Sequence, residues 1–270
     1  MEVQIVLDTA RITLASCFLV YASWSDYKTR EVSDSTWALL APLAFALTFL
    51  EIYTYEASQL PLYGICFGLT TLFAIIIFYS GGFGGADAKA LMCLALALPF
   101  YPTSLPKTLS GTISPTSQIL FPLTVFSNSV LLAALTAVAM LVYNIFWHVK
   151  TGKQLFGGNY GNESFGRKIL VLITGYRVSV RKLKEKWHVY PLEDIDESAE
   201  DKPTRKLLVV PKDEGRDAIV GRLEKAVSAG AIQDSVWATP GLPFLIFFTL
   251  GLLLALFLGD IVWICLRLLL

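Results

Sequence analysis

Apolar residues run along this chain in six long blocks, at roughly residues 9–25, 36–53, 61–80, 88–103, 121–147 and 240–263. A helix needs about 20 such residues to cross a bilayer, so the pattern predicts about six transmembrane helices. The first and fourth blocks are short, and the fourth runs into Pro99, Pro102 and Pro106. Each must thin the bilayer locally or pack against neighbouring helices. The connector 104–120, rich in Ser, Thr and Pro with the single charge Lys107, reads as irregular.

Between the fifth and sixth blocks the pattern changes. Ile169–Ile173, Val178–Val180 and Lys206–Val210 are strand-like through β-branched enrichment, and Gly215–Ala229 has helical spacing at Ile219, Leu223 and Val227. Thr239 followed by Pro240 reads as the N-cap and first position of the last helix. The predicted fold is an all-α polytopic membrane protein with a small α+β domain inserted before its last helix. Residues 1–147 carry five transmembrane helices, 148–239 the soluble domain and 240–270 the sixth helix.

Composition agrees with that setting: 54% hydrophobic, 13% aromatic and 16% charged residues, with a mean hydropathy of +0.58. The net charge of zero hides an asymmetry, because residues 148–239 hold 16 of the 22 Lys and Arg and 13 of the 22 Asp and Glu. Threading six helices alternately puts Lys28, Arg30, Lys89 and the His148–Lys153 run on one side. Only Arg11, Lys107 and Arg267 fall on the other. The positive-inside rule makes the first group cytoplasmic and both termini external. Glu2, Asp8 and Arg11 precede the first apolar run without a basic leader or cleavage site, so a removable signal peptide is not expected.

Candidate chemistry is narrow. Cys17, Cys66, Cys93 and Cys265 all lie in apolar stretches without Cys-x-x-Cys spacing, and His148 and His188 are 40 positions apart, so neither a disulfide framework nor a metal site is indicated. No cofactor is expected. Two carboxylates stand out, Asp26 and Asp87, each where an apolar segment meets a short polar turn. Asp87 follows Gly81, Gly82, Gly84 and Gly85, and such a run gives the backbone positive φ and close approach to another chain. The run lacks the Gly-Lys-Ser/Thr ending of a phosphate loop, and no nucleic-acid partner is expected.

Two carboxylates a few Å apart in a low-dielectric site share one proton and so offer a base and an acid together. That suits water attack on an amide without metal or covalent intermediate. The spacing leaves other readings open. Each Asp could cap a helix or pair with a basic neighbour such as Lys28 or Arg30, serving a membrane scaffold. Intramembrane carboxylates also relay ions in transporters, although no inverted repeat is visible. Glu31, Asp34 and the acidic run Glu193–Asp201 could attract a basic substrate, while charge runs are ordinarily solvated loops. Lys89 could tune Asp87 or bind lipid headgroups, with topology the plainer reason for it. Asn128 and Asn144 in the fifth block need hydrogen-bond partners. The Asn162-Glu163-Ser164 sequon loses its meaning in a cytoplasmic insert.

The blocks Asp26-Tyr-Lys-Thr-Arg-Glu-Val and Gly84-Gly-Ala-Asp87-Ala-Lys resemble the two catalytic motifs of type IV prepilin peptidases, the GxGD intramembrane aspartic proteases. The insert before the last helix, with Trp237-Ala-Thr-Pro-Gly-Leu-Pro-Phe244 opening that helix, resembles the archaeal preflagellin and prepilin peptidase branch. The family pattern has glycine where this chain has Ala86, a small residue in its place. The resemblance implies Asp26 and Asp87 as the catalytic pair, with the glycine run shaping the cleft. It also implies cleavage of short basic leader peptides from prepilin or preflagellin substrates at the cytoplasmic membrane edge. Lacking the paired cysteines of bacterial members, the chain is expected to have peptidase activity without methyltransferase activity. Resemblance to presenilin and signal peptide peptidase is weaker, because Tyr27 follows Asp26 here instead of preceding it. Partners beyond substrate and the lipid bilayer, including a second copy of the chain, stay open.

Overall fold

The computed structural model describes residues 2–81, 83–105, 108–157, 160, 163–196, 204–208 and 215–270. In chain order the elements are α1 (Glu2–Thr29), α2 (Asp34–Tyr55), α3 (Leu60–Tyr79), α4 (Gly85–Ala97), α5 (Pro115–Ile119), α6 (Phe121–Thr151) and α7 (Phe165–Thr174). There follow β1 (Tyr176–Val178), α8 (Val180–Glu185), β2 (Val189–Pro191), β3 (Glu193–Asp196) and β4 (Thr204–Leu207). The chain ends with α9 (Arg216–Ser228), β5 (Val236–Pro240), α10 (Phe244–Phe257) and α11 (Ile261–Leu269). Two compact units result, one of Met1–Ala133 with Pro243–Leu270 and one of Ala134–Leu242.

Among the described residues α1, α2, the stretch Ala57–Tyr79 and α6 are each long and apolar enough to cross a membrane, and α10 with α11, bent by 58°, makes a fifth crossing if counted as one. Large apolar side chains such as Leu39, Phe45, Leu72, Ile76 and Val138 stand exposed on these helices, as a lipid-facing surface requires. The protein is a multi-pass membrane protein. α1 is longer than the apolar block 9–25 that predicted it, and it takes in Asp8, which is buried and paired with Arg11 at 2.6 Å.

The fourth block forms a helix shorter than a bilayer is thick. α4 has 13 residues, about 20 Å of helix, and stops before Pro99. Ala88, Ala90, Leu91, Cys93, Leu94, Ala95 and Ala97 are buried where α4 packs against α1, α2 and α3. A helix surrounded by helices need not match the bilayer thickness, provided its terminal carbonyls find donors. They do: Tyr63 Oη donates to Leu96 O at 3.1 Å, and Thr48 Oγ1 to Ala97 O at 3.0 Å.

The bend between α10 and α11 is handled in the same way. Gly259 turns there with φ +107°, and Asn128 of α6 bridges the break, donating to Gly259 O at 2.9 Å and accepting from Ile261 N–H at 3.1 Å. A Cβ on Gly251 would lie 2.1 Å from Ser129 Oγ, so α10 and α6 meet with no room for a side chain. The connector 104–120 is less irregular than expected. It contains α5, and Ser114 donates from it to Asp260 at 2.7 Å while Leu109 N–H donates to Phe257 O at 2.8 Å.

The second unit holds a three-stranded antiparallel sheet of order β1-β5-β2, with Tyr176 opposite Ala238 and Val189 opposite Pro240, and a β3–β4 hairpin with Glu193 opposite Leu207. Val236, Trp237 and Ala238 in the central strand are completely buried. Three expectations change here. Ile169–Ile173 is helical within α7, because Ser164 caps that helix by accepting from Arg167 N–H and outweighs the β-branched run. Val178 ends β1 and Val180 begins α8, capped by Ser179. Thr239 and Pro240 close β5 instead of opening the last helix, which starts at Phe244; Pro is tolerated at a strand end. α9 matches the helical spacing read at Gly215–Ala229. β4 covers Lys206 and Leu207 of the stretch read as strand at Lys206–Val210, whose Val209 and Val210 lie outside the described residues.

The acidic run is not a solvated loop where it is described. Glu193 is fully buried, bonded by Arg205 and by the Tyr160 hydroxyl, and Asp194 is paired with Arg222 at 2.5 Å. Glu197, Glu200 and Asp201 lie outside the described residues. Burial, reinforced by the Glu193 charge, pushes the Tyr160 phenol far above its ordinary range and keeps its proton in place. Asn144 is satisfied by donating to Leu172 O at 2.8 Å and Gly175 O at 2.7 Å. Asn162 of the sequon also lies outside the described residues.

Candidate active site

Asp26 and Asp87 arrive from opposite directions. Asp26 lies in the last turn of α1, which ends where Arg30 adopts φ +58° and its N–H closes on Asp26 O at 3.0 Å. Asp87 sits in the first turn of α4, and its carboxylate accepts from Gly84 N–H at 3.1 Å. Although 61 positions separate them, the two carboxylates are close enough in space for the charge of one to act on the other.

Contacts between α1 and α10 position Asp26. Asp26 accepts from Leu245 N–H in the first turn of α10, and Arg30 lies within electrostatic reach of it. One turn earlier Ser23 donates to Leu245 O at 2.7 Å and lies 2.7 Å from Thr249 Oγ1. Thr249 Oγ1 in turn donates to Leu19 O at 3.1 Å, so α1 and α10 are laced together beside Asp26. Asp87 therefore stands at the N-terminus of α4, and Asp26, at the C-terminal end of α1, takes its hydrogen bond from the N-terminus of α10, where free backbone N–H groups favour negative charge. Among the described residues neither acid forms an ion pair; their hydrogen bonds come from backbone amides.

The other residues singled out in the sequence fall into distinct settings. Gly81 takes φ +74°, a conformation that requires glycine. A Cβ on Gly84 would come within 3.3 Å of Asp87 Oδ2, whereas one on Gly85 would meet only Phe78 at 3.6 Å. Gly82 lies outside the described residues. Asp34 and Lys89 pair with each other at 2.5 Å in an exposed position. Glu31 is exposed, and its carbonyl accepts from Ser25 Oγ at 2.7 Å and Thr29 Oγ1 at 2.9 Å, fixing the turn after α1.

Sequence reasoning passed over Ser23, Thr249 and the backbone of Leu245. The available signal was slight: Ser23 is a polar residue three positions before Asp26, on the same helix face, and Thr249 interrupts the apolar last helix. It also read Arg11 as a loop cation. Arg11 is instead the centre of a buried triad, 2.6 Å from Asp8 and 2.7 Å from Glu51, with Asp8 also accepting from Ser104 N–H at 2.8 Å. At 1.5 Å per residue, Arg11 is about 22 Å along α1 from Asp26.

Residues 13–158 match the family model described as the type IV leader peptidase family, and residues 167–261 match that described as archaeal peptidase A24 C-terminus type II. Among curated proteins, the chain is 22% identical over 248 residues to a preflagellin peptidase of Methanococcus maripaludis, and 25% identical over 244 residues to one of Methanococcus voltae. Each alignment covers 90% of this chain and 92% of the relative. With one family model spanning more than half of its length and a second covering most of the remainder, the chain belongs to the type IV leader peptidase family.

Proposed function

We propose that this protein is an intramembrane aspartic endopeptidase that removes short basic leader peptides from preflagellin- or prepilin-type precursors at the cytoplasmic face of the membrane. The observation that carries the reading is the convergence of Asp26 and Asp87, each bonded by a backbone N–H at a helix N-terminus. Family membership supports peptide cleavage, and the relatives named preflagellin peptidase support the precursor class. The cytoplasmic assignment rests on Lys28, Arg30, Lys89 and the His148–Lys153 run, which share one side under alternating topology.

In this mechanism one aspartate is ionised and its partner protonated. The ionised carboxylate takes a proton from water as the water oxygen attacks the scissile carbonyl carbon. The protonated partner donates to the carbonyl oxygen. Collapse of the tetrahedral intermediate breaks the C–N bond: the acid formed in the first step delivers its proton to the leaving amine, while the partner takes back the proton it gave to the carbonyl oxygen, which restores the starting pair. The backbone amides of Leu245 and Gly84 hold the carboxylates in position throughout.

The test is incubation of the purified protein in lipid with a peptide carrying a basic leader followed by an apolar helix. Wild type releases the leader, and Asp26→Asn and Asp87→Asn proteins of unchanged thermal stability release none. Leader release by either variant at the wild-type rate overturns the assignment.

A further inference from the structure

The second unit holds a cavity of about 660 Å³, the size of a small-molecule site. Arg177 of β1, Arg205 of β4, Trp147 of α6, Lys153, Gln154 and Gln233 line it. Among the described residues no carboxylate does: Asp234, beside Gln233, accepts from Val180 N–H at 2.7 Å at the start of α8. Both arginines donate to the same carbonyl, Ser235 O, Arg177 at 2.8 Å and Arg205 at 2.9 Å, so their guanidinium groups are neighbours. Aromatic rings back them, with Arg177 5.0 Å from the Trp237 ring and Arg205 4.7 Å from the Tyr160 ring.

These bonds fix the two groups without neutralising them. The Arg205 side chain is 8% exposed, and beyond Glu193 and Ser235 O its Nε finds no acceptor among the described residues. Arg177 also donates to Leu155 O at 2.8 Å, and its Nε is buried without an acceptor in the same way. Glu193 is the carboxylate that acts on both. Burial pulls the Arg177 guanidinium below its ordinary range, and the like charge of Arg205 adds to this, yet a guanidinium keeps its proton in a protein. Lys153 is exposed and forms no ion pair among the described residues. Arg177, Arg205 and Lys153 set against Glu193 leave two positive charges uncompensated at the cavity, and a buried cation without a counter-charge is costly.

We propose that this cavity binds a phosphate monoester, with the phosphate seated against Arg177 and Arg205 and Lys153 supplying a third cation. Neighbouring guanidinium groups present forked donors that match phosphate oxygens, and a monoester carries about two negative charges at neutral pH, which is the excess the cluster holds. The cavity is larger than a bare phosphate, and the uncharged Trp147, Gln154 and Gln233 leave space for the organic part of the ester. Trp147 lies near the C-terminal end of α6, a helix long and apolar enough to cross a membrane. A lipid headgroup and a soluble metabolite are therefore two sources of this one chemistry.

The experiment uses the full-length protein in maltoside micelles, a detergent without phosphate. In one arm AMP and inorganic phosphate are titrated calorimetrically. In the other the micelles are doped with phosphatidic acid, or with diacylglycerol as the phosphate-free control, and the thermal unfolding midpoint is read. A saturable one-to-one complex with AMP identifies a soluble ester as the ligand, and a midpoint raised by phosphatidic acid but not by diacylglycerol identifies a headgroup; either result supports the site. Lys153→Gln and Gln233→Glu, both at exposed positions, each weaken AMP binding by about tenfold or more and shrink the gain in midpoint. Arg177→Gln abolishes both effects, and if that variant fails to fold the other two decide. Lys225→Gln, which removes an exposed cation of α9 outside the cavity, leaves both readouts unchanged. Equal losses in the Lys225 and Lys153 variants would mean diffuse attraction to the charge of the domain and overturn the site. So would the absence of both effects in wild type, or effects that the Lys153 and Gln233 variants retain in full.

Discussion

The helical unit gathers carboxylates at two places along α1, and it treats them differently. At one, Asp8 and Glu51 flank Arg11 at 2.6 and 2.7 Å, all three at most 7% exposed, and Ser104 N–H satisfies a further oxygen of Asp8. At the other, Asp26 and Asp87 are partly buried, the charge of Asp26 reaches Asp87, and backbone amides are their hydrogen-bond donors. An acid ion-paired with a buried arginine ties the elements that carry them together. An acid held by backbone amides, with a second acid within reach of its charge, can exchange a proton with it. Glu193 in the soluble unit repeats the first pattern, with Arg205 and Tyr160 around it. Burial of charge alone therefore does not set the proposed catalytic pair apart in this protein; the kind of partner does.

Mutations at the two places sharpen that contrast. The largest effect on rate comes from neutralising either unpaired acid: Asp26→Asn or Asp87→Asn lowers kcat for leader cleavage by about 100- to 10,000-fold, with the thermal unfolding midpoint in detergent unchanged. At the paired site the balance reverses. Arg11→Met strands two buried carboxylates and destabilises the protein by about 3–5 kcal/mol, read as a lowered unfolding midpoint, while the fraction that remains folded keeps its turnover. Equal loss of kcat in the Arg11 and Asp26 variants would erase the distinction between the sites.

Smaller changes probe how the unpaired acids are held. Ser23→Ala removes the link from α1 to Leu245 O and costs about 1 kcal/mol of stability. Its effect on kcat exceeds that on stability, because Leu245 is also the donor to Asp26. Lys89→Ala breaks only the exposed pair with Asp34. It shifts stability by less than about 1 kcal/mol and leaves cleavage of a neutral-flanked peptide within twofold.

Much of this contrast could be read from the sequence, and the missing half has a physical reason. Asp26 and Asp87 are visible because each interrupts an apolar block at a polar turn. Arg11 and Glu51 are 40 positions apart, and nothing local to either shows that α1 and α2 bring them together; Arg11 therefore looks like a topology signal at a helix end. α4 is misleading for a related reason. Its alanines and leucines have the hydropathy of a lipid-facing span, but only its surroundings reveal that helices enclose it and that 13 residues suffice. In the insert, the β-branched run Ile169–Ile173 signals a strand, and a single capping hydroxyl at Ser164 decides for helix. Local pattern identifies lone acids and apolar blocks, whereas pairing across helices becomes visible only in three dimensions.

The most direct measurement is a kinetic double-mutant cycle on leader cleavage with Asp26→Asn, Asp87→Asn and the combined variant. If one proton serves both carboxylates, each single change already removes the whole device, and the combined variant is no slower than either one. Losses that multiply, so that the double variant falls below both singles by the product of their effects, would show two acids working independently and contradict the account.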